Sequence, residues 1–150
     1  DIPAISPAVG FALAPDEEGL VILDVGGDDV GATALGQFAH EIEKSQYEMY
    51  YVVNRYRPLS AEVSDTAELL AEIELASRLK ATGVVNNSHL KQETDAAAVL
   101  EALPYGEEAA QKLGLPLCFT TAPESVAGEL LGKVANLRPV KVYVRSPWEE

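Results

Sequence analysis

Short apolar runs alternate with helix-like segments along this chain, and that alternation constrains its fold more than any other feature. The first run, Leu20–Val25, is apolar on both sides of a single acid, Asp24. A run without a polar side is typical of a strand buried between two layers of helices. The later runs are Tyr50–Val53, Gly83–Val85, Leu115–Phe119 and Val140–Val144. This pattern predicts an α/β fold of three layers, in which helices flank a mainly parallel sheet.

Helical periodicity fills the segments between these runs. A helix is predicted from about Ala32 to Lys44, and another begins near Asp65, where Asp65 and Glu68 have the spacing of a capping box. Further helices are predicted over Asp95–Leu103, over Glu107–Leu113 before Gly114, and from Pro123 to Gly132. Residues 1–18 contain three prolines and predict an irregular start. No linker is visible, so residues 1–150 are expected to be one domain or part of one.

The amino-acid composition limits the classes of partner and the cellular compartment that are expected for this chain. Hydrophobic residues make up 47% and charged residues 23% of the chain, as in ordinary globular domains. Acidic residues outnumber basic ones by 24 to 11, and the net charge of −13 disfavours nucleic acid and anionic membranes as partners. One cysteine and two histidines cannot form an internal disulfide or a complete zinc site, which favours a reducing, cytoplasmic location.

Polar residues follow three of the predicted strands. In open parallel sheets, ligands bind at the carboxyl ends of the strands. Asp24 in such a setting is suited to hold Mg²⁺, and Gly26 and Gly27 would let the backbone approach a phosphate. Asn54 could read the edge of a nucleobase, with Arg55 beside a phosphate or a base. Asn87, within the pair Asn86-Asn87, reaches the same edge.

Each of these residues also has a purely structural interpretation. Asp24 could cap a turn or the next helix, while Asp28 and Asp29 are typical of a solvated turn and of a helix N-terminus. Asn54 could form an Asx turn before Pro58, and turn chemistry also explains the asparagines that end the next strand. The basic pair Arg55 and Arg57 could simply be solvated. These alternatives remain open at the level of sequence.

No catalytic motif is present. A P-loop requires Gly-x-x-x-x-Gly-Lys-Ser/Thr between a strand and a helix. The closest string, residues 128–134, is one residue short, lacks the hydroxyl and lies in a predicted helix. Neither GxSxG, GxGxxG nor CxxC occurs, so no residue of this chain is assigned a catalytic role.

Three strings carry a family resemblance: VILDVGGDDVGATALGQF, VVNRYRP and GVVNNSHL. They resemble MinD/ParA-like P-loop ATPases, specifically a bacterial ATP-binding branch with a DVGGDDxGA segment, over most of residues 19–150. The resemblance implies ATP and Mg²⁺ as ligands. It matches Asp24 to the metal-holding aspartate, Gly26 and Gly27 to the switch glycines, and Asn54 to the adenine-reading asparagine. Asn87 is a looser match, because that strand end often carries proline in the family.

The same resemblance implies that the chain is incomplete, since the family's P-loop precedes every segment found here. The chain also begins at Asp1 without an initiator Met, as expected of a fragment or a processed product. ATPase activity is therefore expected only if an N-terminal half supplies the P-loop, and tight ATP binding is not expected of this chain alone. Self-association is the other partner expectation, because a missing strand would leave an unpaired apolar edge.

Two other classes compete with the incomplete nucleotide-binding domain. One is a non-catalytic, acidic α/β module for protein interaction. The other, less favoured because no nucleophile has a nearby base in the sequence, is an unrelated doubly wound enzyme acting on a small molecule. The identity of the segment upstream of Asp1 would separate the first class from these two.

Overall fold

A computed structural model describes residues 7–13, 19–58, 61–90, 93–141 and 143. Four strands form one sheet in chain order: β1 (Tyr50–Val53), β2 (Gly83–Asn86), β3 (Leu117–Pro123) and β4 (Leu137–Val140). Every pair of neighbouring strands is parallel. The fold is thus α/β with a parallel sheet, as the alternation predicts, and it is consistent with the three-layer class.

Helices provide the connections that parallel strands require. The connections are α4 (Val63–Ser77) between β1 and β2, α5 (Ala96–Glu101) and α6 (Leu103–Leu113) between β2 and β3, and α7 (Glu124–Leu130) between β3 and β4. Before β1 the described residues form α1 (Pro7–Ala12), α2 (Asp29–Leu35) and α3 (Ala39–Glu43), with a 3₁₀ turn at Gly36–Phe38 between α2 and α3. Gly114 ends α6 in the left-handed conformation, as its position after the last apolar residue predicts. None of the described helices is long and apolar enough to cross a membrane.

One face of the sheet, called the covered face here, packs against helices. Tyr51 and Val53 of β1 and Val84 of β2 point to this side, where they form the main core. That core also contains Ala32, Leu70, Ile73, Ala81, Tyr105 and Ala110. A second cluster continues along the same face, with Ala122 of β3 packed against Val99 of α5 and Leu130 of α7. Most apolar burial in the described residues therefore lies on this side.

The opposite side of the sheet, called the bare face here, is much more accessible. Alternation along β1 directs Tyr50 and Val52 to it, and these side chains are 43% and 55% exposed. Phe119 of β3 meets Tyr50 edge to face, with ring centroids 6.0 Å apart. Val85 of the central strand is buried, whereas Val140 at the other edge is exposed. The two faces of the sheet are thus covered unequally.

The prediction of a buried strand at Leu20–Val25 is wrong. This segment has no strand structure, and all six of its side chains are exposed. A strand forms only where another strand pairs with it, and hydrophobicity alone cannot supply that neighbour. In the described part of the chain, β1 is the edge strand, and Leu20–Val25 does not extend the sheet beyond it.

Several predicted boundaries also change. The helix predicted over Ala32–Lys44 starts at Asp29 and is broken at Gly36, where a Cβ atom would come within 2.6 Å of the Ala76 carbonyl oxygen of α4. The last strand occupies Leu137–Val140 rather than Val140–Val144, and residues 142 and 144 lie outside the described part. A helix, α1, also occurs within residues 1–18, where the prolines predict an irregular start.

Candidate functional site

The carboxyl ends of β1 and β2 bring three of the predicted site residues together. The backbone N–H of Asn87 donates to the Val53 carbonyl at 2.8 Å, which holds the end of β2 beside the end of β1. One residue further on, the backbone N–H of Arg55 donates to Ser88 Oγ at 3.0 Å. Asn54, Arg55 and Asn87 therefore occupy one edge of the sheet, as expected for successive parallel strands.

Asn54 adopts the structural alternative that its sequence context allowed. Its side chain is buried, and Oδ1 accepts a hydrogen bond from the backbone N–H of Tyr56 at 3.0 Å. The N–H of Arg57 also donates to the Asn54 backbone carbonyl at 3.1 Å. This is the geometry of an Asx turn, which shapes the loop after β1. The side-chain carbonyl that would face a base is thus already used within the chain.

Asn87 is engaged in the same way. Its Oδ1 accepts a hydrogen bond of 2.5 Å from Thr121 Oγ1 of β3, and the residue is half-buried. This contact ties the end of β2 to its neighbouring strand. Thr121 has no motif around it, and only the pairing of β2 with β3 identifies it as part of the edge.

Asn86, the residue before Asn87, holds neighbouring groups of this edge in place through its hydrogen bonds. It is completely buried, and its Nδ2 donates to the Ala102 carbonyl at 3.0 Å. Its Oδ1 accepts from both the backbone N–H and the hydroxyl of Ser88, at 3.2 and 2.7 Å. Since Ser88 Oγ also accepts from the Arg55 N–H, a buried network connects α5–α6, β2 and the Arg55 loop. Asn86 shares the covered face with Val84, which is the sequence signal that separates it from Asn87.

Arg55 supplies a positive charge at this edge. Its side chain is exposed, and Nη1 donates to the Glu101 carbonyl at the end of α5, 3.0 Å away. The neighbouring Tyr56 hydroxyl donates to the Ala98 carbonyl of the same helix at 2.8 Å, and burial raises the pKa of this tyrosine. A cation near the last carbonyls of a helix is electrostatically favourable. The loop after β1 is therefore fastened to α5. Arg57, two residues further on, is exposed.

A cleft opens next to Arg55 on the helical side. Its volume is about 480 Å³, and it lies between the start of α4 and helix α6. The wall includes Arg55, Glu62, Ser64, Tyr105, Glu108 and Lys112. Two cationic and two anionic side chains thus share it, which leaves no net charge on the wall. The hydroxyl of Tyr105, one of the lining residues, lies 3.0 Å from Thr66 Oγ1, and this tyrosine is buried.

The predicted metal and phosphate residues lie in the exposed segment that precedes α2. Asp24, Gly26 and Gly27 are all exposed, and no strand pairing fixes them at the edge of the sheet. Asp28, by contrast, caps α2, because its Oδ1 accepts from the Gly31 N–H at 2.8 Å. Asp29 occupies the first turn of that helix, so the structural interpretation of both acids is confirmed.

The donor set does not form a metal centre by itself. Among the described residues, no group of three or more His, Cys, Asp or Glu side chains could hold a metal ion. Asp24 offers one carboxylate, while the nearby Asp28 carboxylate is occupied as a helix cap. Mg²⁺ prefers near-octahedral oxygen ligation and is commonly held by one or two carboxylates together with phosphates and water. Asp24 alone does not meet that requirement.

Comparisons with family models, with curated proteins and with solved structures gave no match for this chain.

Proposed function

We propose that this chain forms the distal part of a MinD/ParA-like nucleotide-binding domain, which contacts the base at one edge of the sheet and supplies one carboxylate for Mg²⁺. The observation that carries the proposal is the grouping of Asn54, Arg55 and Asn87 at the carboxyl ends of two adjacent parallel strands. Open α/β sheets bind ligands at this position. An N-terminal half carrying the P-loop is the partner that would complete the site.

Arg55 is the group best suited to a ligand at this edge. A guanidinium carries five N–H donors in one plane, and the hydrogen bond to Glu101 uses one of them. The remaining donors and the planar face suit a phosphate oxygen or a stacked base. The adjoining cleft of about 480 Å³ is within the size range of small-molecule sites.

The two asparagines, Asn54 and Asn87, are weaker support for recognition of a nucleobase than Arg55 is. Asn54 and Asn87 both use their side-chain carbonyls in internal hydrogen bonds. Base recognition through those carbonyls would require Tyr56 or Thr121 to give up its contact. Each exchange replaces one hydrogen bond by another, so the net gain is small. We infer a weak contact with the base, of millimolar affinity or about 4 kcal/mol.

Phosphate binding and hydrolysis would depend on the partner half. In P-loop proteins, backbone amides and a lysine enclose the phosphates, and Mg²⁺ neutralises the charge that develops during transfer. When bound, that metal would supply electrostatic stabilisation, and Asp24 would be one of its ligands. Gly26 and Gly27 would permit close approach of the backbone to a phosphate. ATPase activity is accordingly proposed only for the assembled protein.

The test is an NMR titration of the chain with Mg-ATP and, separately, Mg-GTP. Amide shifts centred on Asn54, Arg55 and Asn87, larger with ATP at equal concentration, are expected. Arg55→Ala should reduce them, whereas Arg138→Ala, which removes an exposed arginine from β4, should not. Equal losses in both variants would show only a general effect of charge. Absence of shifts at this edge at millimolar ATP would contradict the proposal.

Calorimetry tests the expected weakness of binding. Micromolar binding of Mg-ATP that disappears in Asp24→Ala would mean that the chain holds a working site without the P-loop. The proposal predicts no measurable heat in that range for either protein.

The second candidate function is an acidic protein-interaction module without a nucleotide. The exposed apolar side chains of the bare face, especially Val52, favour it. A chain that shows no nucleotide response but binds another protein through this face would support this candidate over the first.

A further inference from the structure

The outer edge of β1 is open for pairing. The carbonyls of Met49 and Val53 both accept hydrogen bonds from the β2 side, from Thr82 and Asn87, each at 2.8 Å. Backbone groups of alternate residues in a strand point to opposite edges. Val52 therefore directs its N–H and C=O away from β2, and in the described part of the chain no strand lies there.

The side chains at this edge are apolar as well as accessible. Tyr50 and Val52 lie on the bare face, and both are large and exposed. Parallel sheets are almost always buried on both faces. An exposed apolar edge strand is, moreover, a typical site for pairing with another chain. The edge and the bare face thus favour the same kind of partner, an added strand.

The chain itself contains a segment with the composition of such a strand. Leu20–Val25 is made of leucine, isoleucine and valine with a single acid, and its side chains are exposed. Ile22 is 81% exposed. β-Branched residues favour strands when a pleated neighbour is available. One molecule therefore presents both an open edge and an unpaired, strand-forming run.

The distribution of charge favours a second copy at this surface despite the net charge of −13. The exposed acids of the covered side lie on its helices, among them Asp65, Glu68 and Glu72 of α4 and Glu107 and Glu108 of α6. Alternation places Tyr50, Val52, Gly83, Val85, Arg138 and Val140 on the bare face of β1, β2 and β4. None of these is acidic, and the carboxylate beside them is that of Glu48, which accepts a hydrogen bond from the Tyr50 hydroxyl. Two copies can approach through this face while the acids of α4 and α6 remain on the far sides, so repulsion comes mainly from Glu48 and from Asp24 of the added segments.

The area of the bare face alone is too small for a stable dimer interface. Four strands spaced about 4.8 Å apart, over four residues of about 3.3 Å each, cover roughly 250 Å² in projection. A stable interface buries about 800 Å² on each partner. Leu20–Val25, added from both copies, supplies further apolar area as well as main-chain hydrogen bonds.

We propose that two copies of the chain associate by reciprocal strand addition, with Leu20–Val25 of each copy pairing with the open edge of β1 in the other. This arrangement buries the Val52 and Ile22 side chains and satisfies the outward backbone groups of β1. It does not depend on a nucleotide, so it stands or falls separately from the proposed function.

Sedimentation equilibrium over a wide concentration range tests the association. The unmodified chain should form a dimer, and Val52→Lys and Ile22→Lys should each raise the dimer dissociation constant by about tenfold or more. Leu75→Lys is the matched control, because Leu75 is 82% exposed on α4, on the helical side. It introduces the same cation and should leave the constant unchanged.

Ile22→Lys also protects the test against a folding artefact, because Ile22 is exposed and outside the sheet. Circular dichroism should show unchanged helix content for all three variants. Hydrogen exchange should show concentration-dependent protection of the Val52 amide. A chain that stays monomeric at millimolar concentration would overturn the proposal. A dimer that survives both substitutions, or one weakened equally by Leu75→Lys, would overturn it as well.

Discussion

Two apolar runs in this chain differ in structure: one is exposed and irregular, and the other forms a buried strand. Leu20–Val25 is the longer and more hydrophobic run, yet it is exposed and has no strand structure. Gly83–Asn86 contains only two large apolar side chains, yet it forms the buried strand β2 with every residue inaccessible. β2 has a paired strand on each side, whereas Leu20–Val25 has none among the described residues. The presence of neighbouring strands, rather than hydrophobicity, therefore decides which of the two runs forms a strand.

The same difference recurs within a single strand. Tyr51 and Val53 are buried under α4 and α6, while Tyr50 and Val52, one residue away from each, are exposed on the bare face. Local sequence hardly differs between the two pairs. The contribution of a side chain to stability should therefore follow the presence of a packing partner, and matched substitutions on the two sides can test this.

The largest expected difference lies between Val84 and Val52. Val84→Ala on β2 removes methyl groups from a fully buried site and should lower the free energy of unfolding by about 2–3 kcal/mol. Val52→Ala, at an exposed site, should change it by less than about 0.5 kcal/mol. Urea denaturation at low protein concentration measures both values without a contribution from association. Equal losses would mean that the bare face is covered in solution.

A pair of helical glycines gives the next largest difference. A Cβ atom at Gly106 of α6 would lie 2.6–2.9 Å from the buried side chain of Asn86, whereas one at Gly128 of α7 would meet nothing within 4 Å. Gly106→Ala should thus destabilise the fold by about 1–3 kcal/mol. Gly128→Ala should stabilise it by about 0.5–1 kcal/mol, because alanine favours the helix. Thermal unfolding followed by circular dichroism would reveal the opposite signs, and a loss at Gly128 would contradict the described environment.

Two nearby acids on the exposed segment provide a smaller contrast. Asp28→Ala removes the hydrogen bond that caps α2 and should cost about 1 kcal/mol. Asp24→Ala should be neutral for stability, within about 0.5 kcal/mol, since this exposed side chain lies in no strand or helix. Chemical denaturation of the two variants in the same buffer is sufficient. A large loss at Asp24 would indicate that the segment is packed after all.

Much of the fold follows from the sequence, and its exceptions have one cause. β1 and β2 occur where their apolar runs predict them, and Gly114 ends α6 as predicted. These signals are local. Whether Leu20–Val25 pairs as a strand depends instead on a neighbouring strand, and the need for glycine at position 36 depends on the close approach of the Ala76 carbonyl of α4. No window of local sequence contains that information.

The candidate site, likewise, could be predicted only in part from the sequence. The topology of parallel strands was sufficient to predict that Asn54, Arg55 and Asn87 share an edge. It could not predict that Tyr56 and Thr121 would occupy the asparagine carbonyls, because those contacts depend on turn geometry and on the register of β3. The placement of Asp24 failed together with the strand that was to carry it.

The last contrast, and the smallest at neutral pH, concerns ionisation of two adjacent tyrosines. Burial on the covered face raises the pKa of Tyr51 to about 12 from the usual value of 10.0. A group whose pKa is raised by folding stabilises the folded state below its unfolded pKa, and this contribution is lost as the pH rises through the folded pKa. Stability should therefore decline between about pH 10 and about pH 12, because the unfolded chain loses the proton first.

Tyr51→Phe should make that alkaline decline shallower, at the cost of the hydrogen bond from the Tyr51 hydroxyl to the Thr66 carbonyl. Tyr50→Phe is the matched control on the bare face. The pKa of Tyr50 is raised mainly by the hydrogen bond that its hydroxyl donates to Glu48, in an exposed position. Its replacement should alter the pH dependence less than that of Tyr51 does. Urea midpoints measured across the alkaline range compare the slopes directly. Equal slopes for the two variants would show that the desolvation of Tyr51 and of Tyr50 does not differ between the two faces of β1. The expected difference between packed and exposed positions would then be absent within this strand.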